Sequence, residues 1–294
     1  MTSPDLRAGI TADGSWTPPS EHLRLIEGVW QPEDAGAVSY PEHGNDLCFQ
    51  VEDKSYWFAH RNRCILELVR SHPPDGVLYD LGGGNGFVCA ALQREGFETV
   101  LVEPGSGVWN ARKRGVTHVV RSTLEAACFR AGSLPAAGAF DVLEHIEDDA
   151  SFVTGVSALL QPGGRFYCTV PALQGLWSHE DNFAGHHRRY SRRLLQELME
   201  SAGLRVELIS SFFTWLVAPV FLFRTIPFVL RGGRGPDHPP ADRVQADHSL
   251  PTMVSRFVDL LHAWELKRLR SGRSMHLGSS LLCVARKPPV ENPA

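Results

Sequence analysis

The chain has 294 residues, 43% of them hydrophobic, which suffices for one large domain with an elaboration. Its formal net charge of −4 offers no general attraction to nucleic acid, and no nucleic-acid partner is expected. Six scattered cysteines (Cys48, Cys64, Cys89, Cys128, Cys168 and Cys283) form no C-x-x-C pair, which argues against a zinc ribbon or disulfide framework and suits a reducing, cytoplasmic compartment.

Residues 1–45, rich in Pro, Gly and acidic side chains, read as an irregular tail with one short helix near Glu21–Glu27. The start has no apolar run of the signal-peptide kind. "SYWFAHRNRCILELVRSH" (55–72) puts Trp57, Phe58, Ile65, Leu66 and Val69 on one helical stripe. A Pro-Pro-Asp-Gly break follows, then "GVLYDL" as a buried strand. "FVCAALQREG" reads as a helix ending at Gly96, "ETVLVEP" (98–104) as a second strand and "GVWNARKRG" as a helix. "THVVRS" (117–122) is a third strand, and "GAFDVLEHI" holds a fourth that turns into a helix near Asp148. "GGRFYCTVP" (163–171) is a fifth strand. The helix "RRLLQELMESAG" (192–203) leads to the sixth strand, "LRVELIS", and "SSLLCVARK" (279–287) is the seventh. Strands alternating with helices predict an α/β fold, a doubly wound and mostly parallel seven-stranded sheet, with a helical insertion before the last strand. The divisions expected are the tail 1–45, a core over 46–211, the insertion 212–275 and a final strand and tail over 276–294.

"YDLGGGNGF" (79–87) lies between the first strand and first helix of this core, where glycines serve close approach rather than a linker. Gly82, Gly84 and Gly86 let the chain turn sharply and bring backbone N–H groups against a ligand. The dinucleotide fingerprint G-x-G-x-x-G/A fails in both registers, because its last position falls on Phe87 or Cys89. The pattern is D-x-G-x-G-x-G instead. Glu103 ends the second strand, where a carboxylate can accept both hydrogens of a ribose diol. Asp80 precedes the loop and favours a cationic group. The ligand read from charge is a ribonucleoside with a cationic tail.

"VLYDLGGGNG", "VLVEP", "FDVLEHIEDD" and "LLQPGGRFYCTVP" resemble, in order and spacing, the motifs of class I S-adenosylmethionine-dependent methyltransferases. The resemblance covers about residues 50–211 and resumes at 279–287. It implies a Rossmann-like methyltransferase fold and S-adenosylmethionine as cofactor. Asp80, Gly82 and Gly84 would surround the methionine part, Glu103 and Pro104 the ribose, and Thr123 and Leu124 the adenine. Ala139 and Phe140 would offer backbone to the cofactor. The family often has an acid after the third strand, where this chain reads "RSTLEAA".

His145, just beyond the fourth strand, is the expected base for a hydroxyl acceptor. On one helical turn Asp141, Glu144 and His145 share a face and suit a divalent cation such as Mg or Mn. The ubiquinone-pathway O-methyltransferases look similar here, with an acidic-x-x-Glu-His run that holds a metal. The plainer alternative leaves Asp141 and Glu144 serving a helix N-terminus. In "GHHRRYS" (185–191), Arg188, Arg189 and Tyr190 are candidates for substrate contact, and Ser191 for an N-cap. The arginines can equally pair with a structural acid such as Asp181. Trp57, His60 and Arg61 are candidates for a cover over the ligand.

"SFFTWLVAPVFLFRTIPFVLRGGRG" (211–235) is the most apolar stretch, yet its charge-free run, Phe212–Phe223, is too short to span a bilayer, and Pro219 interrupts it. A helical hairpin or lid is expected, with "DHPPADRVQADH" a loop and "MVSRFVDLLHAWELKRLR" (253–270) an amphipathic helix. Val254, Phe257, Val258, Leu261 and Trp264 would face inward. The insertion either walls a substrate site or docks 212–231 on the inner face of a membrane, with Arg224 and Arg231 at headgroup level. The resulting expectation is a methyltransferase for a small-molecule or lipid-like acceptor, oxygen first. Carbon or nitrogen methylation of a natural product, lipid or sugar is the alternative within that class. A nicotinamide-dependent dehydrogenase and a non-catalytic nucleoside-binding module are alternatives of other classes.

Overall fold

The computed structural model describes residues 10–11, 14–33, 49, 52–53, 55–233 and 252–289, with the side chains of 252–256 excepted. The first described elements are strands β1 (Leu23–Ile26) and β2 (Val29–Pro32), an antiparallel hairpin where an irregular tail with a short helix was expected. The cause is local. Ile26 pairs with Val29 across Glu27–Gly28, and both turn residues have positive φ (52° and 79°), the geometry of a two-residue hairpin that matches strand twist. Trp30 then pairs in parallel with Val120, so the hairpin extends the main sheet.

Helix α1 (Tyr56–Ser71) starts at Ser55, whose hydroxyl accepts from the amides of Trp57 and Phe58. Then follow β3 (Leu78–Leu81), α2 (Phe87–Arg94), β4 (Thr99–Val102), α3 (Gly107–Lys113), β5 (His118–Val120) and β6 (Leu134–Phe140). A 3-10 turn (Leu143–His145) precedes α4 (Asp149–Leu159), which starts near Asp148 as the sequence suggests and is capped by that side chain. Beyond β7 (Leu160–Pro171) come α5 (His179–Ala184), α6 (Arg192–Ser201) and β8 (Arg205–Phe212). Ser191 caps α6 by accepting from the Leu194 amide. The insertion runs through α7 (Val217–Val220), a π-helical stretch (Phe221–Thr225), α8 (Ile226–Leu230) and α9 (Thr252–Arg270) before β9 (Ser280–Arg286). The "DHPPADRVQADH" segment lies outside the described residues.

The nine strands lie in the order β1-β2-β5-β4-β3-β6-β7-β9-β8. The expected count of seven missed the hairpin. Pairing is parallel from β2 through β7, while β9 runs antiparallel to both β7 and β8. The chain leaves β3 toward β4 and β5, then returns to β6 on its other side. The crevice at the carboxyl ends of β3 and β6 is therefore the switch point at which such sheets bind ligands.

Alternating residues of each strand feed opposite faces. Tyr79 and Leu81 join α4 and α6 through Val153, Val156, Leu195 and Met199. Leu78 joins α1 and α9 through Ile65, Leu68, Leu266 and Leu269. The inward face of α9 differs from expectation. Phe257 and Trp264 are exposed, and the buried stripe is Val258, His262, Glu265, Leu266 and Leu269. The Val254 side chain lies outside the described residues. The rotation follows from Glu265, whose carboxylate accepts from the amides of Phe213 (3.0 Å) and Thr214 (2.6 Å) and bonds His60 Nε2 (2.8 Å). Hydropathy periodicity assigned a polar pair to solvent that hydrogen bonding draws inside.

Candidate functional site

The site is built on the turn out of β3. Gly82, Gly84 and Gly86 adopt φ of 68°, 53° and 71°, a region that L side chains rarely enter. Gly83, which the sequence reading passed over, is the tightest. A Cβ there would lie 2.3 Å from Leu101 Cδ1 and 2.6 Å from Asp80 Oδ2. Gly86 serves packing: it precedes α2, and a Cβ on it would lie 2.7 Å from Ala111 Cβ of α3.

Glu103, at the end of β4, accepts from the Gly84 amide through Oε2 (2.9 Å) and from the Gly105 amide through Oε1 (2.7 Å). The same acid thus holds the glycine turn and the turn around half-buried Pro104. Each oxygen keeps a second lone pair for a hydroxyl. Thr123 Oγ1 accepts from the Ala126 amide (3.2 Å), and Leu124 packs on the core. The buried Ser122 hydroxyl beside them has no hydrogen-bond partner among the described residues. Ala139 is buried in β6. The carbonyl of Phe140 accepts from Arg61 Nη2 (2.7 Å).

Asp80 is buried, and neither carboxylate oxygen has a hydrogen bond of normal geometry among the described residues. Burial pushes its pKa up to about 7; the Arg61 guanidinium pulls it down, the Glu103 charge pushes it up, and the Cys89 amide dipole contributes a further downward pull. Burial likewise raises Glu103, and raises Glu144 well above the usual range with help from Asp141. The crevice is therefore rich in carboxylates, with Arg61 set among them.

Arg61 is buried and bonded within the chain. Its Nε donates to Asp141, which turns the chain out of β6 at φ 57°. That commitment corrects the expected metal set, because Asp141 is an ion-pair partner and Leu143–His145 is a 3-10 turn rather than an α-helical face. Another trio stands together: donor atoms of Glu144, His145 and His186 all lie within 4.8 Å of one another. Glu144 Oε2 is buried without a hydrogen-bond partner among the described residues, and His186 Nδ1 is held by Asp181 at 2.9 Å, leaving Nε2 as its ligand atom. His145 is half-buried, and burial followed by the His186 charge lowers its pKa to about 4. His186 was legible only as the second histidine-bearing motif; nothing in its spacing announced that α5 would bring it beside His145.

The remaining substrate candidates all have partners within the chain. Arg189 clamps Asp181 through Nε (2.8 Å) and Nη2 (3.0 Å) and donates to the Ala172 carbonyl. Arg188 pairs with Asp149 at 2.7 Å, and the buried Tyr190 hydroxyl donates to the same carboxylate at 2.6 Å. All three are thus bonded to acids of the chain, Asp181 or Asp149. His60 is buried under α9, bonded to Glu265 and stacked on His262 at 3.6 Å between ring centroids. Trp57, half-buried, stacks on Phe213 at 5.5 Å.

A family model described as a methyltransferase domain matches residues 54–209, more than half the chain. The chain belongs to this methyltransferase-domain family. Among curated proteins, the ubiquinone biosynthesis O-methyltransferase of Xanthomonas axonopodis pv. citri (strain 306) is 25% identical over 118 residues, 37% of this chain and 49% of that protein. That of Methylocella silvestris is 32% identical over 105 residues, 33% of this chain and 41% of the relative. The chain thus spans less than half the length of the curated relatives it matches. Among solved structures, phosphoethanolamine N-methyltransferase 2 of Haemonchus contortus in complex with S-adenosyl-L-methionine is similar with TM-score 0.53 and 15% identity, over 88% of this chain and 62% of that one. A chain from the complex of the Haloferax volcanii Trm112 methyltransferase activator with a methyltransferase is similar with TM-score 0.53 and 19% identity, over 86% and 98% of the two chains. These likenesses establish the fold of the methyltransferase domain as that of class I methyltransferases.

Proposed function

We propose that the chain transfers a methyl group from S-adenosylmethionine to a small or amphipathic acceptor, with oxygen the favoured atom. The observation that carries the reading is Asp80, a buried carboxylate beside a glycine turn whose oxygens have no hydrogen bond of normal geometry among the described residues. An anion left this way is costly in an empty protein and is stabilised by a cationic ligand. Glu103, oriented by two amides, supplies acceptors for a ribose diol. The glycines keep the turn free of side chains, so the ligand can approach the backbone. When bound, S-adenosylmethionine supplies an electrophilic methyl on a sulfonium with a neutral leaving group. The chain's own work is alignment and exclusion of water.

Two readings of the acceptor side have support. In the first, His145 accepts the hydroxyl proton; its low pKa keeps the imidazole neutral at pH 7, ready to accept but only weakly basic. In the second, Glu144, His145 and His186 would hold a divalent cation, which would supply Lewis-acid activation of an acceptor hydroxyl. The carboxylate and two imidazoles suit such an ion, and Asp181 behind His186 fixes its tautomer. The curated relatives, both O-methyltransferases by name, support oxygen over nitrogen or carbon.

The test is incubation with methyl-labelled S-adenosylmethionine and separate pools of phenols, amines and isoprenoid lipids, with and without chelator. Label in the phenol pool alone supports oxygen transfer, and loss of that label on chelation supports the cation. Label only in amines or at carbon overturns the oxygen reading. Absence of S-adenosylmethionine binding by calorimetry overturns the whole proposal.

A further inference from the structure

The helical run after β8 turns an apolar face to solvent. Leu222, Phe223, Val229 and Leu230 are 52%, 78%, 64% and 81% exposed. Their spacing, i, i+1, i+7 and i+8, places them on one side of the run. The other side is seated on the protein, where Thr225 is buried and the π-helical stretch packs against the turn Gln174–Leu176. Its root is tied down as well, with Trp215 lying 5.9 Å from the His262 ring of α9. Apolar side chains held outward on an anchored helix mark a surface that something covers.

Charge decides what covers it. Residues 211–235 contain no Asp or Glu, although the whole chain is net negative, and they carry Arg224, Arg231 and Arg234. Arg224 lies 3.7 Å from Glu180, and Arg231 is exposed at the end of α8. A face of Leu, Phe and Val bordered by arginine matches the acyl-headgroup boundary of an anionic bilayer, where the arginine tips reach phosphate. Among the described residues no helix is long and apolar enough to cross a membrane, so this one would lie on it.

We propose that the Val217–Leu230 run docks the protein on an anionic lipid bilayer, with Leu222, Phe223, Val229 and Leu230 in the headgroup layer. The surface stands apart from the methyl-transfer reading, and neither depends on the other. The test is flotation of the full chain with vesicles of phosphatidylcholine alone and of phosphatidylcholine mixed with phosphatidylglycerol. The expected result is about tenfold more bound protein on the anionic vesicles, reduced by added salt. The triple variant Leu222→Glu, Phe223→Glu, Leu230→Glu should stay in the soluble fraction while keeping its circular-dichroism melt. A milder variant, Phe223→Ser with Leu230→Ser, gives the same reading if the triple variant misfolds. Wild-type protein that does not float with either vesicle overturns the proposal. So does a dimer in light scattering that these substitutions dissociate, because the covering partner is then a second copy.

Discussion

The Arg61 guanidinium of α1 is bonded on one edge to the Asp141 carboxylate at the end of β6, and its Nη2 donates to the Phe140 carbonyl at 2.7 Å. One side chain therefore ties the N-terminal helix to the turn that positions Glu144 and His145. Its charge also lowers the pKa of Asp80 and of Glu144. Arg61→Leu strands the carboxylates around it and should destabilise the fold by about 3 kcal/mol. Adding Asp141→Asn, which tolerates the left-handed backbone, should recover part of that loss. Urea denaturation of the wild type, both single variants and the double variant reads the coupling; additive effects would show that the pair acts independently.

Asp80 should make the proposed cofactor binding pH-dependent. Its raised pKa, about 7 in the empty protein, means that protonation stabilises the fold. That stability is fully present below the unfolded value of about 3.9 and is lost as pH rises through about 7. A cationic ligand selects the ionised form, so affinity for S-adenosylmethionine should rise up to about tenfold from pH 6 to 8, with release of a proton. Asp80→Asn should bind more weakly and show a flat profile. Calorimetry in two buffers of different ionisation enthalpy measures the proton directly, and an Asp80→Asn profile as steep as the wild type would sink the assignment.

Much of the sheet, the glycine turn and the place of Glu103 beside it were legible because they rest on local chemistry. The glycine turn, Glu103 and the strand–helix alternation follow from residues close in sequence. What escaped had two causes, a local turn with an unfamiliar signature and contacts far along the chain. The β1–β2 hairpin was hidden because Pro- and Gly-rich flanks masked four-residue strands whose turn, Glu27–Gly28, needs no Asn-Gly signature. The face of α9 was misread because Glu265 bonds His60, 205 residues away. Of the acids that hold Arg188, Arg189 and Tyr190, Asp181 was legible as a structural partner in the sequence, whereas Asp149, on another helix, was not.

Glu103 carries two loads that a single substitution removes together. Glu103→Ala deletes the acceptors for the Gly84 and Gly105 amides and those proposed for the ribose. Charge-assisted hydrogen bonds contribute about 1.5–3 kcal/mol, so affinity for S-adenosylhomocysteine should fall about 10–100-fold. Glu103→Gln should be intermediate, since one oxygen remains while its NH2 opposes a backbone donor. Titration calorimetry reads both, and an unchanged dissociation constant for the alanine variant removes the ribose role.

Glycine 83 offers a test that involves no charge. The Cβ of Gly83→Ala would collide with Leu101 Cδ1, at 2.3 Å, and with Asp80 Oδ2, at 2.6 Å. Either the turn moves or β4 does, at a cost of about 1–3 kcal/mol. Gly96, whose added Cβ meets nothing within 4 Å, is the control for backbone strain alone, since its φ is 86°. Gly83→Ala should lose cofactor affinity as well as stability, whereas Gly96→Ala should lose only stability. Equal cofactor affinity in the two variants would show that the turn does not shape the site.

The stacked pair His60–His262 should make the insertion acid-sensitive. The rings lie 3.6 Å apart and 6° from parallel, with Glu265 bonded to His60 and with Tyr56, Phe213 and Trp215 around His262. Burial, then the His60 charge, lowers the His262 pKa to about 3; Glu265 opposes the shift and Arg63 adds to it. A folded pKa below the unfolded value of about 6.5 contributes stability that is present above pH 6.5 and lost as pH falls toward 3. His145 titrates in the same window and supplies a background that the substitution leaves in place. His262→Phe keeps an aromatic ring in the stack without a proton to gain. Its stability should fall about 2 kcal/mol less than that of the wild type between pH 6.5 and 4. Chemical denaturation across that range checks this, and parallel pH curves for the two proteins would place the acid-sensitive group elsewhere.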